Sequence, residues 1–295
     1  MRIGISVYDL APAEALELAS AADGLGFDGI WLAEHLLYPV RYQTAHPSTG
    51  MENDRRHATL RGGQAVTAET ELPDTWALLG ALASSTSRLN LYTGIYILPA
   101  RHPLLTARAA ATIAEMSAGR FVFGVGLGWL AEEFYAIGVA FSDRASIFEE
   151  SIPILRTAWK GKPFSHAGRH WTFPEVQIWN KEVSIPLVFA GNSESALQRA
   201  ARLADGWYVS GIPSIGDMLR IRRRLLEIRD EVGATSEFRC YLRLMNPTPK
   251  DLDTLEHHGV EDIVLLYRSV WPEGSLSEKI AALGRVAKQY GLANY

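Results

Sequence analysis

Cysteine is almost absent: Cys240 is the one thiol in 295 residues, so no intrachain disulfide can form. Without His or Cys partners at ligand spacing it cannot seed a thiolate metal cluster, and its place in the apolar run 238–245 reads as a buried, inert thiol. An excess of one charge is missing too. Lys plus Arg total 29 against 33 Asp plus Glu, a formal net charge of -4 with no basic block. Phosphate backbones and anionic lipid surfaces need an electrostatic footprint that this chain lacks, so nucleic-acid and membrane partners are disfavoured. No apolar stretch approaches the ~20 residues of a membrane span, and the first seven residues read as a strand, not a secretory leader. The expectation is a cytoplasmic protein. G-x-S-x-G, H-E-x-x-H and G-x-x-x-x-G-K are also absent, which removes the usual support for hydrolase, zinc-protease and nucleotidase readings.

What is present is core material: 47% hydrophobic and 10% aromatic residues, with 25 Gly and 14 Pro. Eight short runs rich in Ile, Val, Phe, Trp and Tyr (2–7, 28–33, 89–97, 120–125, 186–190, 207–210, 238–245 and 262–267) read as strands buried on both faces. Helical periods separate them, at 13–23, 74–84, 104–116, 129–137 with 144–159, 193–203, 217–232, 252–258 and 277–290. Eight β-then-α units predict a (β/α)8 TIM barrel, with an open doubly wound sheet as the competing arrangement. No linker interrupts the chain, so one domain over 1–295 is expected. Its excess length falls in two insertions, about 36–72 and 161–184, both expected after strands at the C-terminal face where barrels keep their chemistry.

Candidate site residues follow from that face. Glu34 and His35 close the second run, and an acid beside an imidazole suits proton transfer. The third run holds Gly94 and Ile95, where a glycine inside a strand marks a bulge or a close approach of ligand to backbone. Gly124-Val125-Gly126-Leu127-Gly128-Trp129 is not the dinucleotide fingerprint, because its third glycine comes one residue early. Its glycines read as room for a flat ring, with Trp129 as a pocket wall. Ala190-Gly191-Asn192-Ser193 runs into a helix N-terminus, whose free N–H groups suit a phosphate, although a plain Asn192 or Ser193 cap explains the same letters. Tyr8, Tyr96 and Trp129 suggest a largely apolar substrate pocket. His257-His258 reads as a helix end and not as a metal site.

Four ordered segments resemble the luciferase-like monooxygenase superfamily, and most closely its branch that uses the deazaflavin coenzyme F420. They are Leu25-Gly26-Phe27-Asp28-Gly29-Ile30-Trp31-Leu32-Ala33-Glu34-His35, Leu98-Pro99-Ala100-Arg101-His102-Pro103, 117–129 leading to Glu132-Glu133-Phe134, and Val188-Phe189-Ala190-Gly191-Asn192-Ser193 with Ala204-Asp205-Gly206-Trp207. The resemblance implies a barrel with an isoalloxazine-type ring at its mouth and Glu34-His35 beside it, His35 handling a proton. It implies a bulge with a cis peptide at Gly94-Ile95, cofactor contacts from Gly126, Trp129 and Ala190, and a phosphate at Gly191-Asn192-Ser193 assisted by Arg144. Similar proteins are commonly homodimers. One departure matters: sugar-phosphate dehydrogenases of this kind carry Glu where this chain has Trp129, and an indole cannot donate that proton. The first expectation is therefore hydride transfer between F420 and a small organic metabolite. Oxygen insertion by reduced FMN, supplied by a flavin reductase, is the alternative; a non-catalytic flavin-binding relative is the third.

Overall fold

Runs of β-branched and aromatic residues lie between helices whose apolar stripes can cover them, which is the condition for a parallel sheet buried on both faces. The computed structural model describes residues 1–41, 43–44, 69–271 and 273–292. Its elements are β1 (Arg2–Val7), α1 (Pro12–Gly24), β2 (Gly29–Leu32), α2 (Thr75–Ser85), β3 (Asn90–Thr93), β4 (Tyr96–Ile97), α3 (Pro103–Met116), β5 (Phe121–Gly126), α4 (Ala131–Ala136) and α5 (Arg144–Ala158). There follow β6 (Phe164–Ala167), β7 (Thr172–Val176), β8 (Leu187–Ala190), α6 (Glu194–Leu203), β9 (Gly206–Tyr208), α7 (Ile215–Glu231), β10 (Arg239–Leu244), α8 (Pro249–His257), β11 (Asp262–Leu266), α9 (Tyr267–Val270) and α10 (Leu276–Gln289).

The strands run β3-β2-β1-β11-β10-β9-β8-β5, all parallel, and β3 also pairs with β5 through Leu91–Phe121 and Tyr92–Val122, so the sheet is a closed barrel. The expected fold is the observed one. Among the described residues no helix is long and apolar enough to cross a membrane, and no group of His, Cys, Asp and Glu could hold a metal ion.

Side chains alternate across each strand. Outward residues such as Ile5, Leu91, Phe123 and Leu242 join the core between strands and helices. Inward residues make a second core of Trp31, Tyr92, Val122, Val188, Tyr208, Tyr241 and Val264. Trp31 is stacked on Tyr92 (4.1 Å) and on Tyr208 (4.6 Å). At the N-terminal end Asp262 is gripped by Arg2, with Nε donating at 2.7 Å, and by Arg239. Burial opposes the Asp262 charge, but these two guanidiniums hold its carboxyl below the usual range. The lower barrel is therefore plugged, and a ligand has access only from the other end.

Two features differ from the sequence expectation. The run 89–97 is not one strand: it breaks at a cis peptide between Gly94 and Ile95, and β4 then resumes against Val125 and Gly126 of β5. The 161–184 excursion follows a helix, α5, not a strand. It is an antiparallel hairpin of β6 and β7 lying along the outside of α5, where Glu150 accepts N–H bonds from His170 (2.9 Å) and Trp171 (2.9 Å). Its tip alone reaches the mouth end, where His170 meets Ser146 near the start of α5.

Gly124 shows how tightly the closure is packed. A Cβ there would run into the Thr93 carbonyl, whose own side chain donates to the Gly124 carbonyl at 2.7 Å. Gly124→Ala is expected to destabilise the fold by about 1–3 kcal/mol through overpacking, measured as a lower urea midpoint with unchanged m-value.

Candidate active site at the barrel mouth

The chain leaving β2 presents two titratable side chains, and they go to different partners. His35 Nδ1 lies 3.1 Å from Glu133 Oε1, and the Leu36 N–H donates to the same oxygen at 2.6 Å. Glu133 is fully buried in the first turn of α4, where the helix dipole favours a negative charge. With Nδ1–H donating to Glu133, Nε2 is the ring nitrogen left to face the mouth. The Tyr8 ring stands edge-on to His35 (6.3 Å between centroids) and so does Trp129 (5.7 Å). These two aromatics flank the imidazole.

Glu34 is not the acid that meets His35. Its side chain turns into the wall of the barrel, where Arg101 Nη2 contacts Oε1 and the Ile97 N–H donates to Oε2 at 3.0 Å. The adjacency in sequence is therefore no contact, because consecutive residues of an extended segment point to opposite sides. Burial raises the Glu34 carboxyl; Arg101 and the Ile97 N–H oppose the rise, and the net position is about 7.

Tyr96 also leaves the predicted pocket. It is wholly buried between strands and helices, its hydroxyl receiving Trp76 Nε1 (3.3 Å) and meeting Thr106 (3.2 Å). The reason is the break at Gly94-Ile95: it turns Ile95 inward against the interior aromatic cluster and sends Tyr96 out. The glycines of β5 serve this same crowding. A Cβ on Gly126 would lie 2.6 Å from Ile95 Cδ1, and one on Gly128 2.7 Å from Ile97 Cγ2. On these sides the missing Cβ atoms make room for the chain's own Ile95, Ile97 and Phe134.

The end of β8 forms a separate corner. Gly191 takes a φ of +133°, and its carbonyl accepts from Trp207 Nε1 at 2.7 Å. Asn192 ties this turn to the end of β9: its Nδ2 donates to the Ser210 carbonyl (2.7 Å) and its Oδ1 accepts the Ser210 N–H (3.0 Å). Ser193 caps α6 by accepting the Ala196 N–H at 3.3 Å. Asn192 is thus a strut between strands, and the groups open to an anion are the remaining N–H donors of the first α6 turn. Arg144 opens α5 with its guanidinium 3.8 Å over the Phe141 ring and Nη1 donating to the Phe141 carbonyl at 2.7 Å. Its Nε is buried without a partner. Burial and the nearby Arg199 both weaken its hold on its proton. A buried donor left open beside a second guanidinium is what a phosphate would complete.

Three functional positions were not legible as such in the sequence. Glu133 and Arg101 sit inside the quoted segments, but only folding brings them to His35 and Glu34. Glu132 pins the start of the first insertion, accepting the Thr44 N–H (3.0 Å) and hydroxyl (2.7 Å) and the Gln43 N–H. Burial opposes that charge, yet these donors hold its carboxyl down at about 2. The far end of the insertion is tied by the Glu71 N–H to Asp9 at 2.8 Å. Between them, residue 42 and residues 45–68, the greater part of the predicted 36–72 insertion, lie outside the described residues.

A family model described as luciferase-like monooxygenase matches residues 2–245. The chain belongs to the luciferase-like monooxygenase family. An uncharacterised protein of Mycobacterium tuberculosis is 34% identical, over 94% of this chain and 93% of that protein. The F420-dependent glucose-6-phosphate dehydrogenase of Nakamurella multipartita is 28% identical over 68% of this chain and 53% of its own length. Among solved structures, the monooxygenase RslO1 of Streptomyces bottropensis superposes with a TM-score of 0.76 at 17% identity, covering 98% of both chains. The coenzyme F420-dependent tetrahydromethanopterin reductase of Methanopyrus kandleri does so at 0.73 and 16% identity, covering 97% of both. These likenesses show the shared fold.

The Glu34 carboxyl carries a pH prediction. Its folded value of about 7 lies above the ordinary 4.5. The folded state therefore holds a proton that the unfolded chain has released, and the stability this contributes is complete below about pH 4.5 and is lost as pH rises through about 7. The melting temperature of the wild type minus that of Glu34→Gln should fall between about pH 5 and 8. Parallel profiles for the two proteins would contradict a buried titrating carboxyl.

Proposed function

We propose that this protein is an oxidoreductase that moves a hydride between coenzyme F420 and a small organic metabolite. The observation that carries the reading is the His35–Glu133 pair, an imidazole oriented by a buried carboxylate beside the open end of the barrel. F420 is favoured over FMN because relatives named as F420-dependent glucose-6-phosphate dehydrogenases are 28% and 29% identical over 68% and 70% of this chain. The residues fit such a group. The α6 N-terminus with Gly191 and Ser193 would hold its phosphate with help from Arg144, while Ile95, Gly126 and Ala190 would form the floor beneath its ring and Trp129 a wall. When bound, the deazaflavin supplies a two-electron carrier that reacts poorly with oxygen.

The chain supplies the proton chemistry. His35 Nε2 accepts a proton from the substrate oxygen as the adjacent carbon loses its hydrogen with both bonding electrons; in the reverse direction it returns that proton. Glu133 holds the ring by Nδ1–H and stabilises the imidazolium that forms, the role a buried carboxylate plays beside a catalytic histidine. Glu34 and Arg101 are positioning residues: they hold the backbone of Ile97, and with it the bulge at Gly94-Ile95, in place. Tyr8 and Trp129 exclude water from the imidazole.

Titration of the purified protein with each cofactor, oxidised and reduced, tests the assignment. F420 is expected to bind at micromolar concentrations. Micromolar binding of FMN with no binding of F420 would overturn it in favour of oxygen insertion served by a partner reductase, and binding of neither would favour a non-catalytic relative. Once a substrate is in hand, His35→Ala should lower kcat by about 100-fold or more while cofactor affinity stays within about threefold. Unchanged turnover would remove His35 from the chemistry.

A further inference from the structure

β10 turns Arg239, Tyr241 and Arg243 into the barrel and sends Cys240, Leu242 and Leu244 outward into the helix-facing core. The first two inward residues are satisfied. Arg239 holds Asp262, and Tyr241 packs edge-on against Trp31 at 4.8 Å. Arg243 is not. It is in register with the interior Val264, its Nε is buried without a hydrogen-bond partner, and no carboxylate or carbonyl meets its guanidinium among the described residues. On the adjacent strand Tyr208, 3% exposed and also inward, has a buried hydroxyl with no partner.

Staggered strands fill a barrel in layers drawn from alternate strands. Following the register round the sheet places Arg243 in one layer with Ser6, Gly94 and Ala190. A glycine and two small side chains thus share a level with one long cation, above the Trp31 stack and below the turn that carries His35. A buried guanidinium nitrogen and a buried phenol left without partners are each costly until an acceptor reaches them. The phosphate-binding corner does not supply one, since it lies at the end of β8 and on α5 and α6.

We infer that Arg243, with the Tyr208 hydroxyl, receives an anionic oxygen of the substrate, so that the metabolite is a carboxylate. One planar guanidinium and one neutral phenol match a monoanionic, planar carboxylate; a phosphate dianion would keep an uncompensated charge. The inference rests on the reading above only in taking the mouth as the place where substrate sits.

Benzoate is a suitable probe, since the mouth already carries Tyr8 and Trp129, and benzamide is its neutral isostere. Each is titrated into cofactor-free protein by ligand-observed NMR. Benzoate is expected to saturate, with benzamide at least about tenfold weaker. Arg243→Gln should weaken benzoate by about 10- to 100-fold. Arg243→Lys, which keeps the charge but not the planar fork, should bind benzoate more weakly than wild type and more tightly than Arg243→Gln, and Tyr208→Phe should lose a smaller factor. F420 affinity in Arg243→Gln should stay within about threefold of wild type. The inference is overturned if benzoate does not saturate, if benzamide binds equally, or if Arg243→Gln binds benzoate like the wild type. It is also overturned if Arg243→Gln loses the cofactor and keeps benzoate, for then the cation serves the cofactor. Should Arg243→Gln not fold, the benzoate–benzamide contrast and Arg243→Lys still decide. Because the probe needs no cofactor, the result stands apart from whether F420 binds.

Discussion

A parallel sheet of eight strands keeps two raw edges until its ends meet, and here they meet through Leu91–Phe121 and Tyr92–Val122. That pairing is short, and everything near the mouth accommodates it. β3 ends at Thr93, where the backbones run so close that a Cβ on Gly124 would clash with the Thr93 carbonyl. The chain then steps over Gly94-Ile95 and resumes as β4 against Val125 and Gly126. The step places Ile95 in the barrel, Tyr96 outside it and the Ile97 N–H on Glu34. Closure, bulge and buried carboxylate are one arrangement.

The same economy governs the mouth. Two consecutive acids on the first turn of α4 serve opposite ends of one segment: Glu133 gathers His35 and Leu36, and Glu132 gathers Gln43 and Thr44. Because α4 itself follows directly from the β5 glycines, the imidazole is positioned by the strand that closes the barrel. A carboxylate with no exposure keeps its hydrogen bonds in a low dielectric, where they are stronger than they would be at the surface. The base of the barrel shows the opposite use of charge. Arg2 and Arg239 are taken up there by Asp262 and, for Arg2, by Glu261 as well, which leaves Arg243 as the inward cation of β10 with its charge unspent.

How far the letters could be read depended on the range of the interaction. The run 2–7 is β1 residue for residue, and the helices at 104–116 and 193–203 shift by a single residue at their starts, because burial on both faces and N-terminal caps are written locally. The run 89–97 failed as one strand because its break answers to β5, thirty residues away. Glu34 was read as the partner of His35 because adjacency is visible in a sequence and the strand's alternation had not been applied past its end. Tyr96 falls outside the pocket because the break at Gly94-Ile95 reverses the alternation of the run. The excursion at 161–184 shows in the sequence as an insertion, but its place does not, since Glu150 of α5 and not a strand end organises it.

By itself the sequence determined the order of the eight barrel strands and of the main helices between them, the burial of Cys240 and the family, since these depend on periodicity, composition and ordered motifs. Tertiary structure alone decided which acid meets the imidazole, which tyrosine leaves the mouth, what the β5 glycines make room for and which arginine remains unpaired. Those outcomes turn on the stagger between strands far apart in the chain. A shift of one residue in that stagger sends a side chain to the other face, and no local pattern records it.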